Sequence, residues 1–176
     1  MARKSFKTWV TKFIPNAAER STYVLVAGVA SVLLIGLWQT VPGMIWSVEN
    51  PVAVTILWSA FAFGFAYLFA SSFAINHFDL FGLRQVYRHF MSQPLPPLKF
   101  VKRAMYRTTR HPIQAGVLIG IWVTPEMTAT QIVLSIGFTA YIFIGLWFEE
   151  RDLVDAIGEP YVQYKKETGK VLPKLF

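Results

Sequence analysis

Three stretches of this chain run without a charged side chain: residues 21–48, 50–78 and 127–148. Each is long enough to cross a bilayer core, which takes roughly 20 helical residues. A shorter apolar run starts near His111 and meets a proline at Pro125. The pattern predicts spans at about residues 21–38, 51–75 and 127–148. Between the last two lies a short third helix that turns at Thr124-Pro125 and forms a hairpin with the fourth. Pro42-Gly43 supplies the turn between the first two spans. The fold class expected is therefore all-α and integral to a membrane, with about four transmembrane helices. The shortness of the third is expected to leave a water-accessible notch at one face.

Charge assigns the faces. All 17 Lys and Arg fall within residues 3–20, 84–110 and 151–174, while the connections at 39–50 and 124–127 carry one acid each and no base. Basic segments collect on the cytoplasmic side of a membrane. Alternate connections are basic, so the spans are even in number and both termini are expected to be cytoplasmic. The net charge of +7 is then mostly topological, and nucleic acid is not expected as a partner. With 54% hydrophobic and 15% charged residues, the composition agrees with a membrane protein. The chain has no cysteine, which excludes disulfides, cysteine nucleophiles and thiolate metal sites.

The chain reads as a single domain in three parts. Within residues 1–20, Phe6, Trp9, Val10 and Phe13 recur at helical spacing among lysines, which fits an in-plane amphipathic helix or simple charged anchoring. Residues 21–148 hold the transmembrane helices and loops, with Trp38 and Trp46 placed for the outer interfacial belt. Residues 149–176 form a C-terminal cytoplasmic helical tail, helical over 149–157 and broken by Gly158 and Pro160.

Four polar clusters collect at the cytoplasmic ends of these spans. His77 and Asp79, in "NHFD" at the foot of span two, could hydrogen-bond each other or polarise a nucleophile's proton, or simply end a helix in water. Arg110-His111-Pro112 opens the third helix. Proline suits that first turn, and the free N–H groups there favour an anion, with Arg110 adding a fork for a carboxylate or phosphate. Glu149 and Glu150 close the fourth span, where a helix C-terminus disfavours acids unless a cation compensates. Arg110, Arg151 or a cationic ligand would serve. Tyr161 and Tyr164 either join an interfacial belt or cover a flat ligand. No metal constellation is expected, and no Gly-rich loop follows a strand.

"RHPIQAG", followed about 30 residues later by "EERDLVDAIGEPYVQY", resembles the C-terminal signature of the integral-membrane methyltransferase superfamily. That superfamily includes isoprenylcysteine carboxyl methyltransferases and phospholipid methyltransferases. Further stretches, "ERSTYVL", "NHFDLFGLRQV", "TPEMT", "TAYIFIG" and "FEERDLV", resemble its bacterial methanethiol S-methyltransferase branch, which is similar to NnrU-type membrane proteins. Position 114 departs from the pattern, with Gln in place of the usual Tyr. The opening "MARKSFKTWVTKFIP" looks like a segment that follows a further hydrophobic stretch in longer relatives.

The resemblance implies methylation of a small thiol, methanethiol to dimethyl sulfide, with S-adenosyl-L-methionine as cofactor. It implies cofactor contacts at Arg110, His111, Gln114, Gly116, Glu149, Glu150 and Tyr161, and a catalytic role for His77 or Asp79 in forming the thiolate. The location implied is a bacterial inner membrane with the site facing the cytoplasm. Methylation of a lipid amine or carboxylate, a non-catalytic protein on the same scaffold, and a nicotinamide-dependent reductase are the alternatives.

Overall fold

The computed structural model describes residues 8–75, 78, 81–94 and 102–174. The chain forms two compact units. One comprises Met1–Gln39 and Ile75–Val101, the other Thr40–Ala74 and Lys102–Phe176.

In the first unit, α1 (Glu19–Gly36) is an apolar helix with no buried residue. Past Arg20 the helix carries no charge and none of its residues is buried, which suits hydrocarbon. Ahead of it, residues 8–10 are helical and residues 11–13 form turns, so an amphipathic helix is described only for that one turn. Residues 3–7 of the expected segment, Phe6 among them, lie outside the described residues. A short helix, α3 (Leu83–Phe90), follows later in the same unit.

The second unit holds β1 (Met44–Ser47), α2 (Pro51–Ile75, to Ala74), a 3-10 turn (Ala104–Arg107), α4 (Pro112–Trp122), β2 (Glu126–Thr128), α5 (Ala129–Ile157) and α6 (Glu159–Glu167). Among the described residues three helices, α1, α2 and α5, are long and apolar enough to cross a membrane. The third expected span, α4, has 11 residues, about 16 Å of helix. The sequence reading of a short third helix paired with the next one describes it.

The missing length of α4 falls at its C-terminal end. The Trp122 indole donates to Thr139 Oγ1 at 2.9 Å, and His111 Nε2 lies 3.3 Å from Glu150 Oε1. These pairs are eleven residues apart on both helices, so α4 runs antiparallel to α5 and starts level with Glu150. Beyond Trp122 the chain continues extended to β2, which leads directly into α5.

That extended segment pairs in a way the sequence pattern did not suggest. β1 and β2 form an antiparallel ribbon, with Met44 opposite Thr128 and Ser47 opposite Glu126. Trp46 donates its indole N–H to the Thr124 carbonyl at 3.2 Å instead of only lining a belt. Thr128 then starts α5 with a capping box: its hydroxyl accepts from the Gln131 backbone while the Gln131 amide reaches back.

Close approach of α2 to α4 depends on glycine. A Cβ on Gly116 would lie 2.6 Å from the Gly64 carbonyl oxygen and 2.8 Å from Leu68. One on Gly120 would lie 2.7 Å from the Phe65 ring edge. Gly116 and Gly120 form the small-xxx-small pattern by which membrane helices bring backbones together. α4 also packs on α5 through Ala115, Ile142 and Leu146, with Val171 closing the cluster.

α5 continues unbroken through the segment expected as a separate tail helix, since residues 149–157 are its own last turns. Gly158 then turns the chain into α6, with Pro160 in its first turn where a missing N–H is harmless.

Candidate functional site

The polar centre of the second unit lies at the end of the α4–α5 hairpin away from the ribbon. Thr109, Arg110 and His111 arrive there in extended backbone just before Pro112 starts α4. The C-terminal segment pairs beside them. Arg110 N–H donates to the Gly169 carbonyl at 2.9 Å, and His111 N–H to the Lys170 carbonyl at 3.0 Å. Thr109 Oγ1 also donates to Lys170 O, at 3.0 Å. These bonds fasten the last residues of the chain to the start of α4.

Glu150 projects into this corner from α5 and is buried. Its Oε1 accepts from Arg110 Nε at 2.7 Å and from His111 Nε2 at 3.3 Å. A carboxylate only accepts, so the facing imidazole nitrogen carries the hydrogen. Lys165 Nζ and Lys170 Nζ lie 3.5 and 3.8 Å from Oε2. The Arg110 fork is further engaged, its Nη1 donating to the carbonyls of Lys165 and Thr168. Glu150 lies two turns before the end of α5, so it is burial that calls for a compensating cation, and Arg110 is the nearest one. Arg151, the other candidate, stacks over the Trp147 ring at 4.7 Å.

Burial pushes the His111 imidazole down to about 4, against the opposing pull of Glu150, so the ring is neutral at pH 7. Tyr164 donates to the Tyr106 carbonyl at 2.5 Å, and burial pushes its hydroxyl up to about 12. Burial and then the Glu150 charge raise Tyr161 further. The two buried rings sit 5.8 Å apart. Both phenols are neutral hydrogen-bonding groups and weak acids here.

Of the residues singled out by sequence, the structure brings Arg110, His111 and Glu150 into direct contact and sets Tyr161 close enough for its hydroxyl to feel the Glu150 charge. Gln114 is half-buried one turn into α4, and Glu149 is half-buried beside Glu150. Gly116 faces Gly64 and Leu68 of α2, a packing position. His77 and Asp79 lie outside the described residues. Sequence reasoning missed Lys165, Lys170, Thr109 and Thr168. Lysines in a polar tail look like solvated charge, and only the pairing of residues 109–111 with 169–170 turns them toward Glu150. Gly120, the missed partner of Gly116 in this packing, had a readable signal in "GVLIG".

The fold and site define a helical protein with, among the described residues, three bilayer-length helices and a buried, cation-ringed carboxylate at one end of its helical hairpin. The chain belongs to the NnrU family, whose model, NnrU protein, matches residues 1–174. It is 47% identical over 173 residues to a methanethiol S-methyltransferase of Mycobacterium tuberculosis, covering 98% of this chain and 71% of that protein. It is 44% identical over 174 residues to methanethiol S-methyltransferase 1 of Bradyrhizobium diazoefficiens, covering 98% and 61%. A methanethiol S-methyltransferase of Crocosphaera subtropica is 43% identical over 173 residues, covering 98% and 68%. The chain thus spans about two thirds of the length of these relatives. No solved structure matches it.

Proposed function

We propose that this protein is an S-adenosylmethionine-dependent methyltransferase that converts methanethiol to dimethyl sulfide. The observation that carries the reading is identity of 43–47% to methanethiol S-methyltransferases over 98% of the chain, with the matched segment including the whole polar centre.

The residues present fit such a donor, which carries a carboxylate, an ammonium and a flat nucleobase. Arg110, Lys165 and Lys170 face one buried carboxylate, Glu150, so the corner holds more positive charge than it neutralises. That excess suits a carboxylate, and the N–H groups at the start of α4, beside His111, add donors. Because Arg110 is engaged with Glu150 and two carbonyls, the two lysines are the cations best placed to take it. Glu149 would accept from the ammonium. Gln114 and Gly116 would flank the donor on α4, and the Tyr161 ring would cover the nucleobase. When bound, the donor supplies a methyl group on a sulfonium, whose S–CH3 bond breaks as the thiolate sulfur forms its own.

The chain's part is to bind, align and exclude water. Alignment of reacting atoms contributes through entropy already lost on binding. A site among apolar helices is dry, which favours a step that neutralises charge. His77 or Asp79 would take the thiol proton or orient the thiolate. On this reading both termini and the site face the cytoplasm at a bacterial inner membrane, which the positive-inside rule favours for the basic segments, and the ribbon, which carries Glu126 and no base, faces the other side.

The test is to incubate purified, reconstituted protein with methyl-labelled S-adenosylmethionine and methanethiol. Labelled dimethyl sulfide in the headspace is the expected result. Donor binding without that product would move the acceptor to a lipid amine or carboxylate, and absence of donor binding would overturn the reading.

A further inference from the structure

Tyr67, on α2, carries its ring and its hydroxyl into two different surroundings. The ring packs against the cluster of Ala115, Ile142, Leu146 and Val171. The hydroxyl hydrogen-bonds with the side chain of Thr108, two residues ahead of Arg110. Thr108 Oγ1 itself donates to the Met105 carbonyl at 3.0 Å. Tyr67 therefore joins the apolar packing of the helices to the segment that enters the polar centre.

Tyr106 lies on that same segment and is held in place there. Its carbonyl accepts the Tyr164 hydroxyl at 2.5 Å. The 3-10 turn that carries it opens at Ala104 with φ +48, a backbone region that residues other than glycine rarely occupy. The Tyr106 hydroxyl is close enough to feel Tyr164, Glu149 and Tyr67, and burial raises it above its ordinary value, so it keeps its proton. No described residue accepts that hydrogen.

The cations of the centre gather on Glu150, whereas Tyr67, Tyr106 and Thr108 offer hydroxyls and apolar surface and no charge of their own. A short thiol needs one donor for its sulfur and a wall for its alkyl group. A neutral donor also suits the step, because sulfur loses its negative charge as it takes the methyl, and a tightly paired cation would oppose that loss. We propose that Tyr67 and Tyr106 form the acceptor subsite, in which the Tyr106 hydroxyl donates to the sulfur of a short alkyl thiolate and the Tyr67 ring bounds its alkyl group. The assignment rests on the methanethiol methyltransferase reading above and adds the two side chains that select the acceptor.

The test uses the reconstituted full chain and compares methanethiol with ethanethiol. Tyr106→Phe removes one oxygen and is expected to raise KM for methanethiol about five- to tenfold, as loss of one neutral hydrogen bond does. The dissociation constant for S-adenosylmethionine, read by calorimetric titration, should not change. Tyr67→Val shortens the wall, and the ratio of kcat/KM for ethanethiol to that for methanethiol is expected to rise about tenfold. Neither KM nor this ratio depends on how much of the variant is folded. An unchanged KM in Tyr106→Phe, or a donor affinity that falls with it, would take Tyr106 out of the acceptor subsite. An unchanged ratio in Tyr67→Val would do the same for Tyr67. Wild-type protein that yields no dimethyl sulfide would instead overturn the methanethiol reading, and the subsite with it.

Discussion

Arg110 Nε lies 2.7 Å from Oε1 of Glu150, forty residues further along the chain, and both side chains are more than nine-tenths buried. The pair joins the start of α4 to the end of α5, and through the other arm of the guanidinium it holds the carbonyls of Lys165 and Thr168. Breaking such a pair from one side strands a buried charge, which costs about 3–5 kcal/mol. Glu150→Ala is expected to lower the thermal midpoint of the detergent-solubilised protein sharply. Arg110→Lys should lose much of the same stability, because an ammonium cannot serve three acceptors in one plane. A double-mutant cycle that came out additive would show that the two side chains act independently.

His111 makes stability depend on pH with a definite sign. Its folded value of about 4 lies below the ordinary 6.5, so between these values the unfolded chain binds more protons. Stability from this group is full above about pH 6.5, falls as pH drops toward 4, and levels off below that, a loss on the order of 3 kcal/mol. Chemical denaturation of wild type and His111→Gln across pH 4–7 checks this. The difference between the two curves should shrink as pH falls, and parallel curves would count against a neutral buried imidazole.

Two helical glycines should respond to alanine in opposite directions. At Gly116 the new Cβ would meet the Gly64 carbonyl at 2.6 Å, and backbone cannot step aside as a side chain can. Gly116→Ala is expected to cost about 1–3 kcal/mol by forcing α2 and α4 apart. At Gly137, in the middle of α5, nothing lies within 4 Å, so alanine should be neutral or gain up to about 1 kcal/mol from helix propensity. Melting temperatures of the two variants, side by side, decide it.

The two lysines separate binding of the donor from integrity of the fold. Lys165 and Lys170 are about one third exposed and lie 3.5 and 3.8 Å from Glu150, so removing their charge leaves the Arg110 pair intact. Lys165→Gln with Lys170→Gln is expected to weaken S-adenosylmethionine binding about tenfold or more, a loss of roughly 1.4 kcal/mol, with little change in melting temperature. Calorimetric titration reads the first quantity and thermal unfolding the second. Undiminished binding would take the lysines out of the site.

Gly169 tests how the chain's last residues build that site. A Cβ there would collide with the Leu172 carbonyl oxygen, so alanine forces the turn open. The bonds from Arg110 N–H and His111 N–H to residues 169 and 170 should be lost with it. Hydrogen exchange at residues 110–111 is expected to speed up in Gly169→Ala while α1 is unchanged.

The sequence by itself determined the apolar helices, the short third one, and the residues that meet at the polar centre. Uncharged runs of 20 or more residues have few alternatives to a membrane helix, and Arg110, His111 and Glu150 stand out because polar groups at the ends of such runs need a reason. Tertiary structure decided what those signals leave open. The ribbon of β1 and β2 joins segments about eighty residues apart whose strands are too short to show a pattern. The end at which α4 falls short depends on its register against α5, fixed by Trp122 with Thr139 and His111 with Glu150. The lysines of the tail reach Glu150 only because the backbone of residues 169–170 pairs with that of residues 109–111. Backbone pairing of this kind draws on N–H and carbonyl groups that every residue carries, so the side-chain sequence does not record it.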